Sequence, residues 1–323
     1  MASNFLKLSQ ARTISLAQVL RMSDQEAYDA FKAIRFAENG GQPFCPKCGA
    51  TELYALPRRK VWRCKAIECG CQFSVTSGTI FASRKLSIRD ILAAIAIFVN
   101  GAKGHAALHL SRDLDVQHKT AFVLCHKLRE AIGSIDKGAT VSGEVEVDGM
   151  HVGGYIKPAN RKDHRKDRRL AFVQNGKRQV VIAARERNGK TLTFAATTEG
   201  AGVAKLQGMI EAGSTVHADE AAHWDVMHAR FETKRINHSE AYSADGACTN
   251  QVESFFSRLR RAEIGTHHHI AGPYLAAYAA EMDWREDARR ESNGTQYLTV
   301  VKAAAAHPVS RQWKGYWQRR RAA

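Results

Sequence analysis

Residues 144–149, Glu-Val-Glu-Val-Asp-Gly, give the strongest indication of how residues 138–290 of this chain fold. Acidic and apolar side chains alternate here with a period of two, which is typical of a β-strand with one buried face. In this interpretation the strand ends at Asp148, beside a glycine, where a carboxylate can project from the edge of a sheet. We therefore predict a sheet-based domain with an acidic group at the end of its first strand.

Further strands and helices follow in an order that favours a mixed α/β domain. Asn188 and Gly189 are turn residues between two apolar runs, which predicts a hairpin. The expected elements are strands at residues 179–185, 191–197 and 214–218, and helices at residues 203–212 and 249–261. The succession of three strands, a helix, a strand and a helix predicts a mixed sheet.

Four cysteines upstream have the spacing of a zinc ribbon. Cys45-Pro-Lys-Cys48 is a knuckle of the Cys-x2-Cys type, and a glycine follows its second cysteine. Cys64 and Cys69 are the expected second pair, although four residues separate them where two are usual, and Cys71 could replace Cys69. Because Zn²⁺ prefers four thiolates at tetrahedral corners, we predict a structural zinc site.

The remaining N-terminal segments have helical periodicity. Residues 13–37 predict two short amphipathic helices, and Ser23 with Glu26 has the spacing of a capping box. Residues 86–133 have the proportions of a helix-turn-helix whose recognition helix would begin at residues 116–120, although a plain helical bundle fits equally well. The expected divisions are a helical segment 1–40, a zinc ribbon 41–83, a helix-turn-helix-like segment 84–137, a catalytic domain 138–290 and a basic tail 291–323.

The charge balance points to a polyanionic partner. Lys and Arg number 48 against 32 Asp and Glu, a formal net charge of +16, and nucleic acid is the usual partner of so basic a protein. No apolar run reaches the roughly 18 residues of a membrane helix, and residues 1–10 lack the features of a secretory signal. Seven cysteines, four of them in metal-like spacing, favour a reducing cytoplasm over a disulfide framework.

Two more carboxylates have the placement that Asp148 has. Asp219 follows the short apolar strand 214–218, and Glu253 lies beside the apolar face of the expected helix 249–261. Mg²⁺ takes hard oxygen ligands, and two such ions can be held by carboxylates that are distant in sequence but delivered by neighbouring elements. We predict that the three residues together hold catalytic Mg²⁺.

With these residues in view, the chain resembles the zinc-ribbon insertion-sequence transposases of bacteria, a group of ISXO type that is related to the Merlin transposases of eukaryotes. The resemblance runs from about residue 15 to 290. It rests on Cys45-Pro-Lys-Cys48-Gly49, on Phe73-Ser-Val-Thr-Ser-Gly-Thr79 after Cys69, on Val147-Asp148-Gly149, on His217-Ala-Asp219-Glu220, on Thr249-Asn-Gln-Val-Glu-Ser-Phe-Phe256, and on Thr266-His-His-His269 with Tyr274-Leu275 and Trp284-Arg285.

The resemblance implies an RNase H-like domain that cuts and rejoins transposon ends with an acidic triad and Mg²⁺. Carried over to this sequence, the triad is Asp148, Asp219 and Glu253. Arg260 falls where the family often has a basic residue, and Asn250 is a minor alternative for the third position. The implied partners are double-stranded transposon ends and target DNA, bound by at least a dimer in the bacterial cytoplasm.

Other functions remain open on the sequence alone. An RNase H-like nuclease without strand transfer would use the same metals, and a decayed transposase could survive as a non-catalytic DNA-binding regulator. A basic run between the first two strands is expected to follow the phosphate backbone. Its basic members are Lys157, Arg161, Lys162, Arg165, Lys166, Arg168 and Arg169.

Overall fold

The chain folds into two compact units. The structure, a computed structural model, describes residues 5–153, 159–166, 176–236 and 248–319. The first unit comprises Met1–Ile135 with Arg290–Ala323, and the second comprises Asp136–Arg289. Within the described ranges, no helix has the length and apolar character needed to cross a membrane.

Ten helices and eight strands of the described residues define the architecture. The helices are α1 (Leu16–Arg21), α2 (Asp24–Arg35), α3 (Ile88–Asn100), α4 (Ala107–Asp113), α5 (His118–Gly133), α6 (Glu199–Gln207), α7 (Asn250–Ala262), α8 (Leu275–Asp287), α9 (Asn293–Ala306) and α10 (Tyr316–Arg319). The strands are β1 (Leu53–Leu56), β2 (Val61–Cys64), β3 (Gln72–Ser74), β4 (Glu144–Val152), β5 (Gln179–Glu186), β6 (Thr191–Ala196), β7 (Thr215–Asp219) and β8 (Glu232–Ile236).

The first unit begins with helices that are capped by their own side chains. The Ser23 hydroxyl accepts the backbone N–H of Glu26, and the Glu26 carboxylate accepts the N–H of Ser23, which confirms the predicted capping box. Ser15 and Gln18 form a second capping box at α1. Reciprocal caps of this kind satisfy N–H groups that a helix end leaves without partners.

Helix α2 is followed by the first cysteine knuckle and then by the three-stranded antiparallel sheet β1-β2-β3. Arg35, in its last turn, donates to the carbonyl oxygens of Val75 and Ser77 just beyond β3. Phe36 then packs edge-on against Trp62 of β2, with ring centroids 6.1 Å apart. These contacts join the small cysteine-bearing sheet to a helix that supplies the apolar core the sheet is too small to have.

Helices α3, α4 and α5 have helix-turn-helix proportions. The turn between α4 and α5 is short, and Asp115 within it adopts the left-handed conformation with φ of 50°. The sequence predicts the start of a recognition helix at residues 116–120, of which Val116 is partly exposed and residues 117–120 are exposed. This arrangement fits the predicted helix-turn-helix, with α5 in the position of its second helix.

A helix that the sequence analysis missed, α9, closes the first unit. It lies in what was expected to be a basic tail, and it packs on α2, α3 and α5. Its first residue, Asn293, accepts the backbone N–H groups of Thr13 and Ile14 at 2.9 and 3.2 Å, and donates to Asn100 at 2.9 Å. One side chain therefore ties the two separate chain segments of this unit together.

The second unit is built on a five-stranded mixed sheet in the order β6-β5-β4-β7-β8. Strands β4, β5 and β6 form an antiparallel meander, and β7 and β8 run parallel to β4. One face packs against α6 and the segment around Trp224, and the other packs against α7 and α8. The predicted hairpin is confirmed, with Asn188 in the left-handed conformation at its turn.

Two expectations for this unit are wrong in detail. Strand β4 does not end at Asp148 but continues to Val152, because β5 pairs with it along its whole length. Helix α6 begins at Glu199 rather than at residue 203, since the Thr198 hydroxyl caps it by accepting the N–H of Ala201. Strand β8 and the 3-10 helix Ala222–Ala229 were also not anticipated.

The packing of α6 on the sheet depends on a glycine. A Cβ added at Gly202 would lie 2.1 Å from Ile182 Cδ1 and 3.1 Å from a ring carbon of Phe194. In the same helix, a Cβ at Gly200 would meet nothing closer than His223 Cβ at 3.8 Å. The helix can therefore approach the sheet only because position 202 has no side chain.

We expect Gly202→Ala to lower the free energy of unfolding by about 1–3 kcal/mol, because the methyl group overpacks the interface between α6 and the sheet. Gly200→Ala, the matched control, should be neutral or more stable by up to about 1 kcal/mol, since alanine favours the helix. Urea unfolding of both variants measures the difference. Equal stabilities would show that the sheet yields to the added methyl group.

Candidate functional site

Asp148 and Asp219 lie side by side on adjacent parallel strands. Glu146 of β4 pairs with His217 of β7, so two residues further along each strand Asp148 comes level with Asp219. Successive pairs in a parallel ladder point to the same face of the sheet. The structure thus places the first two predicted carboxylates together, at the end of β7 and in the middle of the longer β4.

Glu253 is delivered by α7, whose apolar face packs on the same side of the sheet. The beginning of α7 is held by Glu146, a carboxylate with no exposed surface. One oxygen of Glu146 accepts the backbone N–H groups of Gln251 and Val252 at 2.7 and 3.0 Å. Strand β4 therefore positions both Asp148 and, through the helix end, Glu253.

The other oxygen of Glu146 is bound by Arg187, whose Nε lies 3.2 Å away. The same guanidinium contacts Glu144, the ring of His217 at 3.2 Å and the sulfur of Cys248 at 2.9 Å. A buried carboxylate is tolerated when it is paired and hydrogen-bonded. Arg187 and the start of α7 provide both conditions for Glu146.

A fourth carboxylate, Glu199, approaches from the first turn of α6. A Cβ added at Gly149 would lie 2.5 Å from its Oε1, so the carboxylate rests against the backbone of β4 beside Asp148. His151 Nε2 lies 3.5 Å and His223 Nε2 3.3 Å from the Glu199 oxygens. We call Asp148, Asp219, Glu253 and Glu199 the carboxylate cluster.

Electrostatics within the carboxylate cluster are dominated by burial and like charge. Burial, reinforced by the negative charges of Asp219, Glu199 and Glu253, raises the pKa of Asp148 to about 7, against the opposing hydrogen bond from the Gly149 N–H. Burial and the charge of Asp219 also raise the pKa of Glu199. Carboxylates crowded in this way attract protons or cations.

The two histidines beside Glu199 are held towards the neutral state. Burial, followed by the positive charge of Arg178 and the neighbouring His223, lowers the pKa of His151. Burial likewise lowers the pKa of His223. Neutral imidazoles do not neutralise the carboxylate cluster, so its negative charge remains available to a bound cation.

In the first unit, four cysteines converge as predicted. The Sγ atoms of Cys45 and Cys69 are 3.7 Å apart, and those of Cys48 and Cys64 are 3.6 Å apart. All four Sγ atoms lie within 4.8 Å of one another. Among the described residues, no other group of three or more His, Cys, Asp or Glu side chains brings its ligand atoms so close together. Zn–S bonds of about 2.3 Å in a tetrahedron place sulfurs about 3.8 Å apart, so the residues fit Zn²⁺.

The irregular second knuckle retains the turn geometry of the first. Gly49 follows Cys48 with φ of 77°, and Gly70 follows Cys69 with φ of 52°. The extra residues of the second knuckle are extruded, and Ile67 at its tip is fully exposed. Cys71 contacts the carbonyl oxygen of Gln72 and is outside the four-cysteine group. The geometry therefore favours Cys69 as the fourth ligand.

The remaining residues predicted for the site are surface residues of the second unit or lie outside the described ranges. Arg260 and Asn250 are exposed on α7, at its far end and at its first position. Of the basic run, Arg161, Lys162, Arg165 and Lys166 are exposed, as a phosphate contact requires. Lys157, Arg168 and Arg169 lie outside the described residues.

The roles of Glu199, Glu146 and Arg187 were not predicted from the sequence. Glu199 could have been found from Thr198, since a threonine followed by an acidic residue is a helix-start signal. The two glycines in the first turn and a half of α6 obscured it. Glu146 is buried, whereas its alternation with valines predicts a carboxylate that faces solvent. No pattern in the sequence predicts that Arg187 pairs with Glu146.

We expect Glu146→Ala to destabilise the second unit by about 3–5 kcal/mol, because it leaves the Arg187 guanidinium and two helix N–H groups without their buried acceptor. Glu146→Gln, which keeps one oxygen acceptor and the shape, should lose less. Urea unfolding monitored by circular dichroism provides the comparison. An alanine variant within about 0.5 kcal/mol of the wild type would show that water replaces the carboxylate at the helix end.

The zinc ligands can be distinguished by metal content. Cys69→Ser should reduce bound zinc to well below one equivalent per chain, because one corner of the tetrahedron is lost. Cys71→Ser should retain the wild-type zinc content. Elemental analysis of the purified proteins measures both. Retention of zinc in the first variant and its loss in the second would assign Cys71 instead.

Comparison with protein families agrees with this division of the chain. Residues 140–287 match the model of the ISXO2-like transposase domain, and residues 22–72 match the model of the transposase zinc-ribbon domain. No curated protein and no solved structure is significantly similar to the chain. The four-cysteine group lies in the second of these matches and supports a structural zinc. Both parts of the chain thus belong to one family, the zinc-ribbon transposases of ISXO type.

Proposed function

We propose that the protein is the DNA transposase of an insertion sequence, which binds terminal inverted repeats and catalyses metal-dependent strand cleavage and strand transfer. The observation that carries this proposal is the convergence of Asp148, Asp219 and Glu253 from three elements of the matched transposase domain. A mixed sheet with helices on both faces fits the RNase H-like fold that we propose with it.

The donor set of the carboxylate cluster fits Mg²⁺. Hard carboxylate oxygens are the ligands that Mg²⁺ prefers, and Asp219, Glu199 and Glu253 add negative charge around the buried Asp148. We propose that Asp148, Asp219 and Glu253 hold two Mg²⁺ ions, with Glu199 beside them. Bound there, Mg²⁺ would stabilise the attacking and leaving oxygens of an in-line phosphoryl transfer.

The protein's own residues contribute placement and charge. Glu146 fixes the start of α7 and so the position of Glu253 relative to Asp148. The exposed basic residues Arg161, Lys162 and Arg165 are suited to contact DNA phosphates, while Arg260 extends the positive charge along α7. Catalysis of this kind depends on positioning the scissile phosphate and needs no covalent bond to the protein.

The first unit would supply DNA recognition. A zinc ribbon and a helix-turn-helix-like pair of helices precede the transposase domain, and the chain carries a net charge of +16. We propose that these elements bind the terminal repeats, and that at least two chains act together because a reaction joins two transposon ends. Bacterial cytoplasm, in contact with the nucleoid, is the proposed location.

The central test uses Asp148→Asn in the full-length protein. On duplexes that carry the DNA flanking the coding region, cleavage with Mg²⁺ should fall at least about 100-fold, since even outer-shell partners of a metal contribute about 10- to 100-fold. Binding to the same duplex without added Mg²⁺ should be unchanged, and no chelator is used because it would remove the zinc of the ribbon. A joining assay with pre-cut ends separates a transposase from a nuclease without strand transfer.

A readout independent of activity accompanies this test. Mn²⁺ should raise the melting temperature of the wild type and should raise that of Asp148→Asn much less, because a ligand that binds only the folded state stabilises it. Glu211→Gln is the matched control, since Glu211 is exposed in the loop that precedes β7, at the strand end opposite Asp219. Wild-type cleavage by Asp148→Asn would refute the assignment of the triad.

A further inference from the structure

The C-terminal segment of the first unit has basic but no acidic side chains, and it packs on α5, the helix expected to read DNA. After Glu291 the sequence contains no acidic residue, and residues 116–129, which include most of α5, contain none either. Arg311 and Lys314 are exposed. Two chain segments without negative charge are therefore brought together on one surface.

Trp313 anchors the segment. Its side chain is only 3% exposed, and its ring stacks on His126 with centroids 4.3 Å apart and planes inclined by 19°. It also meets Phe122 edge-on at 5.9 Å, and Tyr316 contacts the same ring at 6.2 Å. The segment is thus fixed to α5 by an aromatic cluster, whose burial makes it a structural contact.

Trp317 extends this contact to the first turn of α5. Its indole N–H donates to the carbonyl oxygen of Lys119 at 3.3 Å, and the Lys119 ammonium lies 5.4 Å from the ring centroid. The indole is half-buried, so part of its ring faces solvent beside the exposed Lys119. A cation held over an aromatic ring has fewer side-chain conformations to lose when it meets a phosphate.

The aromatic contact leaves the outward stripe of α5 open. Phe122 and His126, one turn apart, form the stripe that the segment covers. Lys119, Val123 and Lys127 form the next stripe, of which Lys119 is exposed and the other two are partly exposed. The C-terminal segment therefore flanks the solvent-facing side of the helix instead of capping it.

We propose that the outward stripe of α5 and residues 311–318 form a single surface that binds double-stranded DNA, and we call it the composite surface. Lys119 and Lys314 meet phosphates, and Trp317 holds Lys119 in place and borders the DNA backbone. This inference rests on the proposed function and extends it, since it assigns DNA contact to a segment outside both matched domains. The exposed cations Lys119, Arg311 and Lys314 are complementary to the phosphates of a duplex.

The test measures binding of the full-length protein to a fluorescent duplex from the flanking DNA by anisotropy, over a range of salt concentrations. Lys119→Ala and Lys314→Ala should each lower the slope of log affinity against log salt by about 0.9, and so weaken binding about eightfold at 0.1 M salt. Trp317→Ala should weaken binding to a similar degree. Lys302→Ala, which removes the same charge from α9 outside the composite surface, should bind like the wild type.

Unchanged affinity of Lys119→Ala, Lys314→Ala and Trp317→Ala, with a wild type that binds the duplex, would overturn the composite surface and leave the proposed function standing. Tighter binding by Trp317→Ala would show that the segment is a cover that opposes DNA. A wild type that does not bind the duplex would overturn both proposals. Trp317→Phe, with circular dichroism of all variants, guards against loss of folding.

Discussion

The buried carboxylate of Glu146 is the interaction on which the second unit depends. It joins the central strand β4 to the start of α7 through two backbone N–H groups, and it is neutralised by Arg187. A helix N-terminus carries partial positive charge, so a carboxylate is favourable there even without water. Because Asp148 is two residues further along the same strand, this contact sets the distance between the strand carboxylates and Glu253.

The carboxylate cluster draws on both layers of helices. Glu253 comes from the layer of α7 and α8, and Glu199 comes from α6 on the opposite face of the sheet. Glu199 can approach Asp148 and Asp219 because β7 pairs with only the first part of β4, which leaves Gly149 open for the Glu199 carboxylate. Mutual repulsion in such a site opposes folding, so a cation that binds there also stabilises the second unit.

Features that depend on one short sequence pattern were predicted correctly. Spacing and a following glycine identified the four cysteines, and Asp219 was placed at a strand end from five residues. Prediction from the sequence failed where a second element decides the environment. The alternation around Glu146 predicts an exposed carboxylate, but α7 covers it. Glu199 was missed because Gly200 and Gly202 weaken the helical pattern, although the packing of α6 on the sheet requires the glycine at 202. Helix α9 lay in a segment interpreted by its charge alone.

Because Asn293 of α9 is hydrogen-bonded to Thr13, Ile14 and Asn100, the order of synthesis affects when the first unit can fold. The first unit is assembled from both ends of the chain, and its two segments are separated by the whole of Asp136–Arg289. At a synthesis rate of about 5–20 residues per second, α9 follows α5 by roughly 8–32 seconds. The second unit has left the ribosome by then, whereas α3 and α5 still lack the helix that covers them. A nascent chain therefore has its carboxylate cluster before its first unit is complete, and a chain truncated at its C-terminal end would lack α9.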